Sequence, residues 1–273
     1  MRVEIASSSD EISDGALVRE WRIGGPEPFF AGLYVTATGY RLWAADSGWF
    51  EIDTVRARIA LPDQGNEVKR EERLWGIPAL LSFIERGDVP VHAAAVDLGH
   101  GAILLAAPGR FGKTTMSAGF VRAGYRLLNE DLSCVRLGDG CAVVPGPAML
   151  RIRPDVAAKL EIPRAAVLDA GDERVHLALD PDQRGDCTPI PLRAVVFLQG
   201  GAEGVTLQPV VASEAVRDLF ALIFRLPGDT ETERAFSGAA EIAAQVPAWN
   251  LSYPYGLDVL DDVVAATAMQ LAG

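Results

Sequence analysis

The sequence predicts an α/β protein with a small β-rich region at the N-terminus, followed by a larger domain in which strands and helices alternate. Three observations predict this class. Residues 55–61 alternate apolar and polar side chains, as strands do, whereas residues 213–224 repeat apolar side chains at helical spacing. Residues 102–106 form a near-continuous apolar run, which is typical of a strand buried on both faces. We expect the β-rich region to span 1–70 and the larger domain 71–273.

The N-terminal region is predicted to consist of strands separated by turn residues. The apolar spacing over 67–87 then predicts a helix, which Pro78 should kink or divide because proline disrupts helical hydrogen bonding. Gly87 is suited to end that helix. The predicted strands are 29–36, 40–44, 48–52 and 55–61.

The larger domain begins with a strand over 91–96, followed by the buried strand 102–106. A helix over 113–123 and a strand over 125–128 come next. This order predicts a βαβ unit with parallel, buried central strands. The remaining predicted elements are a hairpin over 133–144, a short helix over 156–160, strands over 175–179, 192–198, 205–207 and 248–252, and helices over 213–224, 232–245 and 257–271.

The overall charge restricts the classes of partner. The chain has 25 Lys and Arg against 37 Asp and Glu, a formal net charge of −12. A surface built for nucleic acid or an anionic membrane needs a cationic face, so we expect neither partner. An anionic small molecule would require a local cationic pocket.

Cysteine usage and apolar runs predict a cytoplasmic protein. Cys134, Cys141 and Cys187 cannot all pair and have no metal-ligand spacing, as expected of buried thiols in a reducing compartment. Residues 1–13 have no apolar core of a signal peptide. The longest apolar runs are about ten residues, too short to span a bilayer.

The segment after the buried strand, residues 107–115, reads Ala-Pro-Gly-Arg-Phe-Gly-Lys-Thr-Thr and fits the phosphate-loop pattern G-x-x-x-x-G-K-[ST] except for Ala107. In such a loop, backbone N–H groups and a helix N-terminus face phosphate oxygens. Lys113 would then bridge the β- and γ-phosphates of ATP, and the Thr114 hydroxyl would bind Mg²⁺. The alternative is a mere connector of small residues. The candidate nucleotide-binding residues are Pro108, Gly109, Arg110, Phe111, Gly112, Lys113, Thr114 and Thr115.

Two adjacent carboxylates, Glu130 and Asp131, follow the strand after the predicted helix. Parallel strands present their C-terminal ends to one crevice, so these residues are expected beside the loop. One carboxylate can bind Mg²⁺ and the other can accept the proton of an attacking hydroxyl. The alternative is an acidic surface turn. Adjacent strand residues point to opposite faces, so both can serve one site only if the strand has ended.

Three further residues have open interpretations. His92 lies on the predicted strand 91–96 and is either a core histidine or a contact of the γ-phosphate or the acceptor hydroxyl. Arg151 and Arg153 share one face of a predicted strand. Both are solvated arginines in one interpretation; in the other, Arg151 contacts phosphate or an acidic substrate.

Together, residues 91–96, 107–115 and 124–131 resemble the catalytic core of HPr kinase/phosphorylase and its relatives. That family has a histidine before the core, a phosphate loop, and a strand that ends in two acidic residues. The sequence is more closely similar to a subgroup found with ribosomally made peptides, including lasso peptides. This similarity extends over most of the chain and includes 147–153 and 246–254.

The resemblance implies an HPr kinase or phosphoenolpyruvate carboxykinase type of phosphate-loop core that uses ATP and Mg²⁺. It implies Asp131 as the catalytic base, with Glu130 and Thr114 as metal ligands, and functional roles for His92 and Lys113. It also implies a serine kinase that acts on a peptide or protein, such as a lasso-type precursor. The Glu-Ile-Arg-Gly segment of true HPr kinase/phosphorylases is missing, and residues 150–153 are the nearest piece. HPr as the substrate and reverse phosphorolysis are therefore not expected.

Two other functions remain open at this stage. One is a small-molecule kinase that acts on free serine or a similar hydroxyl. The other is a non-catalytic nucleotide-binding regulator. Oligomerisation also stays open, because the chain lacks parts of the sequence of the hexameric HPr kinases.

Overall fold

The structure is a computed structural model that describes residues 2–5, 15–23, 29–63, 66–109, 111–147, 149–171, 173–179 and 188–272. The chain is a mixed α/β protein, as the sequence predicts. It divides into two compact units, Met1–Arg86 and Gly87–Gly273. The predicted boundary at residue 70 falls inside the first unit, which also contains two helices.

The first unit has strands followed by two short helices. Their bounds are β1 Arg2–Ile5, β2 Ala16–Ile23, β3 Phe29–Thr36, β4 Gly39–Ala44, β5 Gly48–Asp53, β6 Arg58–Leu61, α1 Glu67–Leu74 and α2 Ile77–Glu85. Over the described residues the strands form one sheet in the order β1-β6-β5-β4-β3-β2. All neighbours are antiparallel except β1 and β6.

Two predictions for this unit can be compared with the structure. Pro78 lies in the first turn of α2, so the predicted helix is divided into α1 and α2, because proline is tolerated where the N–H would have no helical partner. The predicted strand 55–61 was too long: residues 54–57 form a turn with Ala57 at φ 51°, and β6 starts at Arg58.

The second unit has the following elements in chain order. They are β7 Val89–Val91, β8 Ala93–Asp97, β9 Ala102–Ala106, α3 Lys113–Arg122, β10 Arg126–Asn129, β11 Ser133–Arg136, β12 Ala142–Val144, β13 Met149–Ile152, α4 Pro154–Ala157, β14 Ala166–Ala170, β15 Val175–Ala178, β16 Ile190–Gly200, β17 Thr206–Val210, α5 Ala212–Leu222, α6 Asp229–Gln245, β18 Ala248–Tyr253 and α7 Leu260–Leu271.

The main sheet of this unit has the order β10-β8-β9-β16-β12-β11-β7 over the described residues, with β18 also beside β16 and β17 beside β18. β9, β16 and β18 run parallel to one another. Every residue of β9 and residues 194–198 of β16 are buried, which matches the apolar runs in the sequence. Apolar residues of α3 and α7 pack in one core cluster with these strands, and residues of α5 and α6 pack in a second.

The predicted βαβ unit is wrong in one respect, because its two strands are not neighbours in the sheet. β9, α3 and β10 follow one another as expected, but β8 lies between β9 and β10 and is antiparallel to both. β8 takes this place because a tight turn at 99–101, with Gly99 and Gly101 at positive φ, joins it directly to β9. β9 and β10 still run in the same direction, so their C-terminal ends lie at one edge of the sheet.

His92 was predicted to lie on a strand over 91–96, and this is also wrong. The chain forms β7, then a bend at His92, then β8. The break arises because the two strands have different partners: β7 pairs with β11, whereas β8 pairs with β9 and β10. The His92 N–H donates instead to the carbonyl of Leu222 at 2.8 Å.

A smaller sheet of the second unit has the order β13-β15-β14 over the described residues. Leu150 and Ile152 on β13 are buried in the main core, and Arg151 between them projects from the other side of the strand. Cys134 and Cys141 are buried thiols, while Cys187 lies outside the described residues. None of the helices in the described part of the chain is long and apolar enough to cross a membrane.

Candidate functional site

Three segments that the sequence singled out meet at one edge of the main sheet. The loop after β9, the residues after β10 and the bend before β8 all lie there, because β9 and β10 end at this edge and the antiparallel β8 begins at it. Sheets of this kind commonly bind ligands beyond the carboxyl ends of their strands. The topology therefore brings together segments that are separate in the sequence.

The Lys113 ammonium is folded back over its own loop. Lys113 is the first residue of α3 and is only 6% exposed. Its Nζ donates to the carbonyls of Ala107 at 2.8 Å and Pro108 at 3.1 Å. Burial lowers the pKa of this ammonium from its usual value, while the negative charges of Asp131 and Glu130 oppose the shift. The loop thus positions one buried cation directly at a helix N-terminus.

Gly112 gives the loop its shape. It precedes α3 at φ 85°, in the left-handed region that glycine adopts without a steric cost. A Cβ at this position would lie 2.8 Å from the Tyr253 hydroxyl. That hydroxyl, at the end of β18, donates to the carbonyl of Phe111 at 3.4 Å, and burial raises its pKa to about 12. Tyr253 therefore packs against the loop as a neutral donor at neutral pH.

We expect Gly112→Ala to lower the free energy of unfolding by at least about 1–2 kcal/mol, the cost of a left-handed backbone for a residue with a Cβ. Urea denaturation measures this change. The matched control is Gly109→Ala, because a Cβ at position 109 would meet nothing within 4 Å and the φ angle of Gly109 is not positive. Equal stability of the two variants would contradict the structural role given to Gly112.

Glu130 is held from two sides. The Thr114 hydroxyl donates to Oε1 of Glu130 at 2.7 Å, and Nε of Arg151 donates to Oε2 at 2.8 Å. The Glu130 side chain is 8% exposed. Such charge-assisted hydrogen bonds offset the cost of burying a carboxylate.

Asp131 is held by a histidine and an arginine. His92 Nε2 lies 3.0 Å from Oδ1 of Asp131, and Nη2 of Arg151 lies 3.5 Å from Oδ2. The ring of His92 packs against that of Phe224, with centroids 5.4 Å apart. Because β10 ends at Asn129, Glu130 and Asp131 are not alternating strand residues, and both contact the same guanidinium.

The electrostatic environment keeps Asp131 ionised. Burial by itself would raise the pKa of this carboxyl, but the hydrogen bond from His92 and the charge of Arg151 outweigh it. Lys113 adds a further positive charge nearby. The pKa of Asp131 therefore lies below its usual value, and the carboxylate can accept a hydrogen bond or a proton at neutral pH.

The donor set at Thr114 and Glu130 suits a Mg²⁺ ion. The threonine hydroxyl donates a hydrogen bond to Glu130, so the lone pairs of its oxygen remain available to a cation. Hydroxyl and carboxylate oxygens are ligands that Mg²⁺ prefers, usually together with water and phosphate oxygens. Among the described residues, no three or more His, Cys, Asp and Glu side chains are grouped to hold a metal. An ion here would consequently depend on the nucleotide for part of its shell.

The other candidates of the loop lie as follows. Pro108, Gly109 and Phe111 are exposed, and Thr115 is half-buried in the first turn of α3. Arg110 lies outside the described residues. Arg153, which was expected to share a strand face with Arg151, comes after β13, where its exposed side chain pairs with Asp155.

Three residues that support the site were not found from the sequence. Phe224, after α5, packs on His92. Asn129 donates to the Val144 carbonyl at 3.0 Å, and a Cβ at Gly146 would lie only 2.1 Å from its Oδ1, so the end of β10 is attached to the segment that leads to β13. For Asn129, its place directly before Glu130 and Asp131 was a signal in the sequence. No sequence signal pointed to Phe224.

Comparisons with known proteins add little to this geometry. No protein-family model and no curated protein matches the sequence. A structural neighbour is the Hpr(Ser) kinase/phosphatase from Coxiella burnetii, with a TM-score of 0.36 and 9% sequence identity over 67% of this chain and 99% of that chain. A similarity this weak supports no argument about function, so the site itself must support one.

Proposed function

We propose that the second unit is an ATP-dependent, Mg²⁺-dependent kinase that transfers the γ-phosphoryl group to a serine hydroxyl of a peptide or protein. The observation on which this depends is the connected cluster at the sheet edge, in which Lys113, Thr114, Glu130, Arg151, Asp131 and His92 contact one another or the loop. A loop of this sequence at a helix N-terminus is a site for phosphate groups.

The charges of the cluster favour a nucleotide bound together with a cation. Lys113 and Arg151 carry two positive charges and Glu130 and Asp131 two negative ones, so these four side chains sum to zero. ATP would receive no net attraction from them, and the protein as a whole is anionic. A bound Mg²⁺ would supply the missing positive charge and would neutralise charge that develops on the phosphates during transfer.

Each side chain then has a role in the transfer. Lys113 exchanges its two carbonyl partners for oxygens of the β- and γ-phosphates. Asp131, kept ionised, accepts the proton of the serine hydroxyl as the serine oxygen bonds to the γ-phosphorus, while the bond from that phosphorus to the β,γ-bridging oxygen breaks and ADP leaves. His92 holds Asp131 in place, and Thr114 and Glu130 hold the metal. Arg151 is the candidate contact of a phosphate or an acidic acceptor.

The acceptor class is tested by phosphoryl transfer from radiolabelled ATP with Mg²⁺ to peptides with a single serine, including candidate ribosomal precursor peptides. The matched control replaces that serine with alanine in the same peptide. Label on the serine peptide and none on its alanine counterpart is the expected result. Failure of the protein to bind ATP with Mg²⁺ in calorimetry would refute the proposal.

A further inference from the structure

Arg151 has a guanidinium that spans the two carboxylates of the site. Its Nε is 2.8 Å from Glu130, and its Nη2 is 3.5 Å from Asp131. The backbone that carries it is firmly placed, because Leu150 and Ile152 on either side are buried. The Arg151 side chain itself is 27% exposed.

The Arg151 guanidinium contacts Glu130, the carboxylate that would bind a metal ion. Oε1 of Glu130 accepts from Thr114, the other predicted metal ligand, while Oε2 accepts from Arg151. A divalent cation beside Thr114 and Glu130 would have to share this carboxylate with a fixed positive charge. At such distances in a partly buried site, repulsion between the two cations is strong.

We propose that Arg151 acts as a built-in cation that excludes free divalent metal from Glu130, so that Mg²⁺ enters only with the nucleotide. The phosphates then supply the negative charge that offsets the repulsion. Arg151 is a positioning residue in this role, because it acts on the metal through the carboxylates. The inference rests on the proposed function, since it assigns the metal to the same site.

The test measures Mn²⁺ binding without nucleotide by electron paramagnetic resonance of free Mn²⁺. We expect Arg151→Gln to bind Mn²⁺ at least about tenfold more tightly than the wild type, because one positive charge at this range has an effect of that order. Arg153→Gln is the matched control and should behave as the wild type, since Arg153 is exposed and pairs with Asp155. The double variant Arg151→Gln/Glu130→Gln should lose the gain.

Equal Mn²⁺ affinity of Arg151→Gln and the wild type would overturn the proposal, and so would a gain that persists in the double variant. Loss of the arginine leaves a buried carboxylate less compensated and can destabilise the fold. If Arg151→Gln does not fold, Arg151→Met decides: it also removes the charge, and its apolar chain can pack as the stem of the arginine does. An affinity above that of the wild type supports the proposal, and an unchanged one refutes it.

The role of Arg151 and the proposed kinase activity are tested by separate measurements. The Mn²⁺ measurement contains no nucleotide, so it remains interpretable even if the protein does not bind ATP. Conversely, calorimetry of the wild type with ATP and Mg²⁺ tests the proposed function whatever the outcome for Arg151.

Discussion

Replacing Lys113 with methionine is expected to weaken ATP binding by about a hundredfold, because the charged hydrogen bonds and the ion pair lost are together worth roughly 3 kcal/mol. The ammonium donates to two carbonyls of the loop and is buried at the N-terminus of α3. Methionine has a similar length but no charge and no donor. Isothermal titration calorimetry with ATP and Mg²⁺ measures the change.

The matched control is Lys159→Met, which removes the same charge from an exposed position after α4. It should bind ATP as the wild type does, so that the effect of net charge is separated from that of the loop. Burial lowers the pKa of Lys113, which means that its charged form is not favoured by the fold. Lys113→Met should therefore remain folded, and unchanged ATP affinity in the folded variant would refute the assignment.

Replacing Asp131 with asparagine is expected to reduce kcat for phosphoryl transfer by about 10²–10⁴-fold, the usual contribution of a general base. Asparagine is close in shape to aspartate and can still contact His92, but it cannot accept the hydroxyl proton. The KM for ATP should change little, because Asp131 is assigned to the acceptor and not to the nucleotide. Steady-state kinetics with a serine peptide separate these two quantities.

Asp155→Asn is the control for Asp131→Asn, because Asp155 is an exposed carboxylate in the first turn of α4 that pairs with Arg153. Full activity of Asp131→Asn would show that the base is wrongly assigned. The roles of the two carboxylates can also be exchanged. If Asp131→Asn abolishes Mg²⁺-dependent ATP binding while Glu130→Gln preserves it, then Asp131 is the metal ligand.

Much of the site could be predicted because its pieces are contiguous in the chain. Residues 107–112 lie between the apolar strand β9 and α3, which begins at Lys113, and Glu130 and Asp131 follow the next strand. Such patterns depend on short-range backbone geometry and on apolar periodicity, which a single sequence displays. The predicted division of the helix at Pro78 has the same local origin.

Contacts between distant residues could not be predicted in this way. The insertion of β8 between β9 and β10 is a matter of strand pairing, which periodicity does not encode. The bend at His92 arises because β7 and β8 pair with different strands, and Phe224 lies 132 residues from the histidine it packs against.

The sequence by itself determined the α/β class, the loop with its lysine and threonine, and the acidic pair, since each is written in neighbouring residues. Only the tertiary structure decided that Arg151 contacts both carboxylates and that His92 lies beside Asp131. Arg151 and Glu130 are 21 positions apart in the sequence, and His92 and Asp131 are 39 positions apart. These contacts depend on which strands pair and on where each strand ends. Both are determined by the packing of the whole sheet.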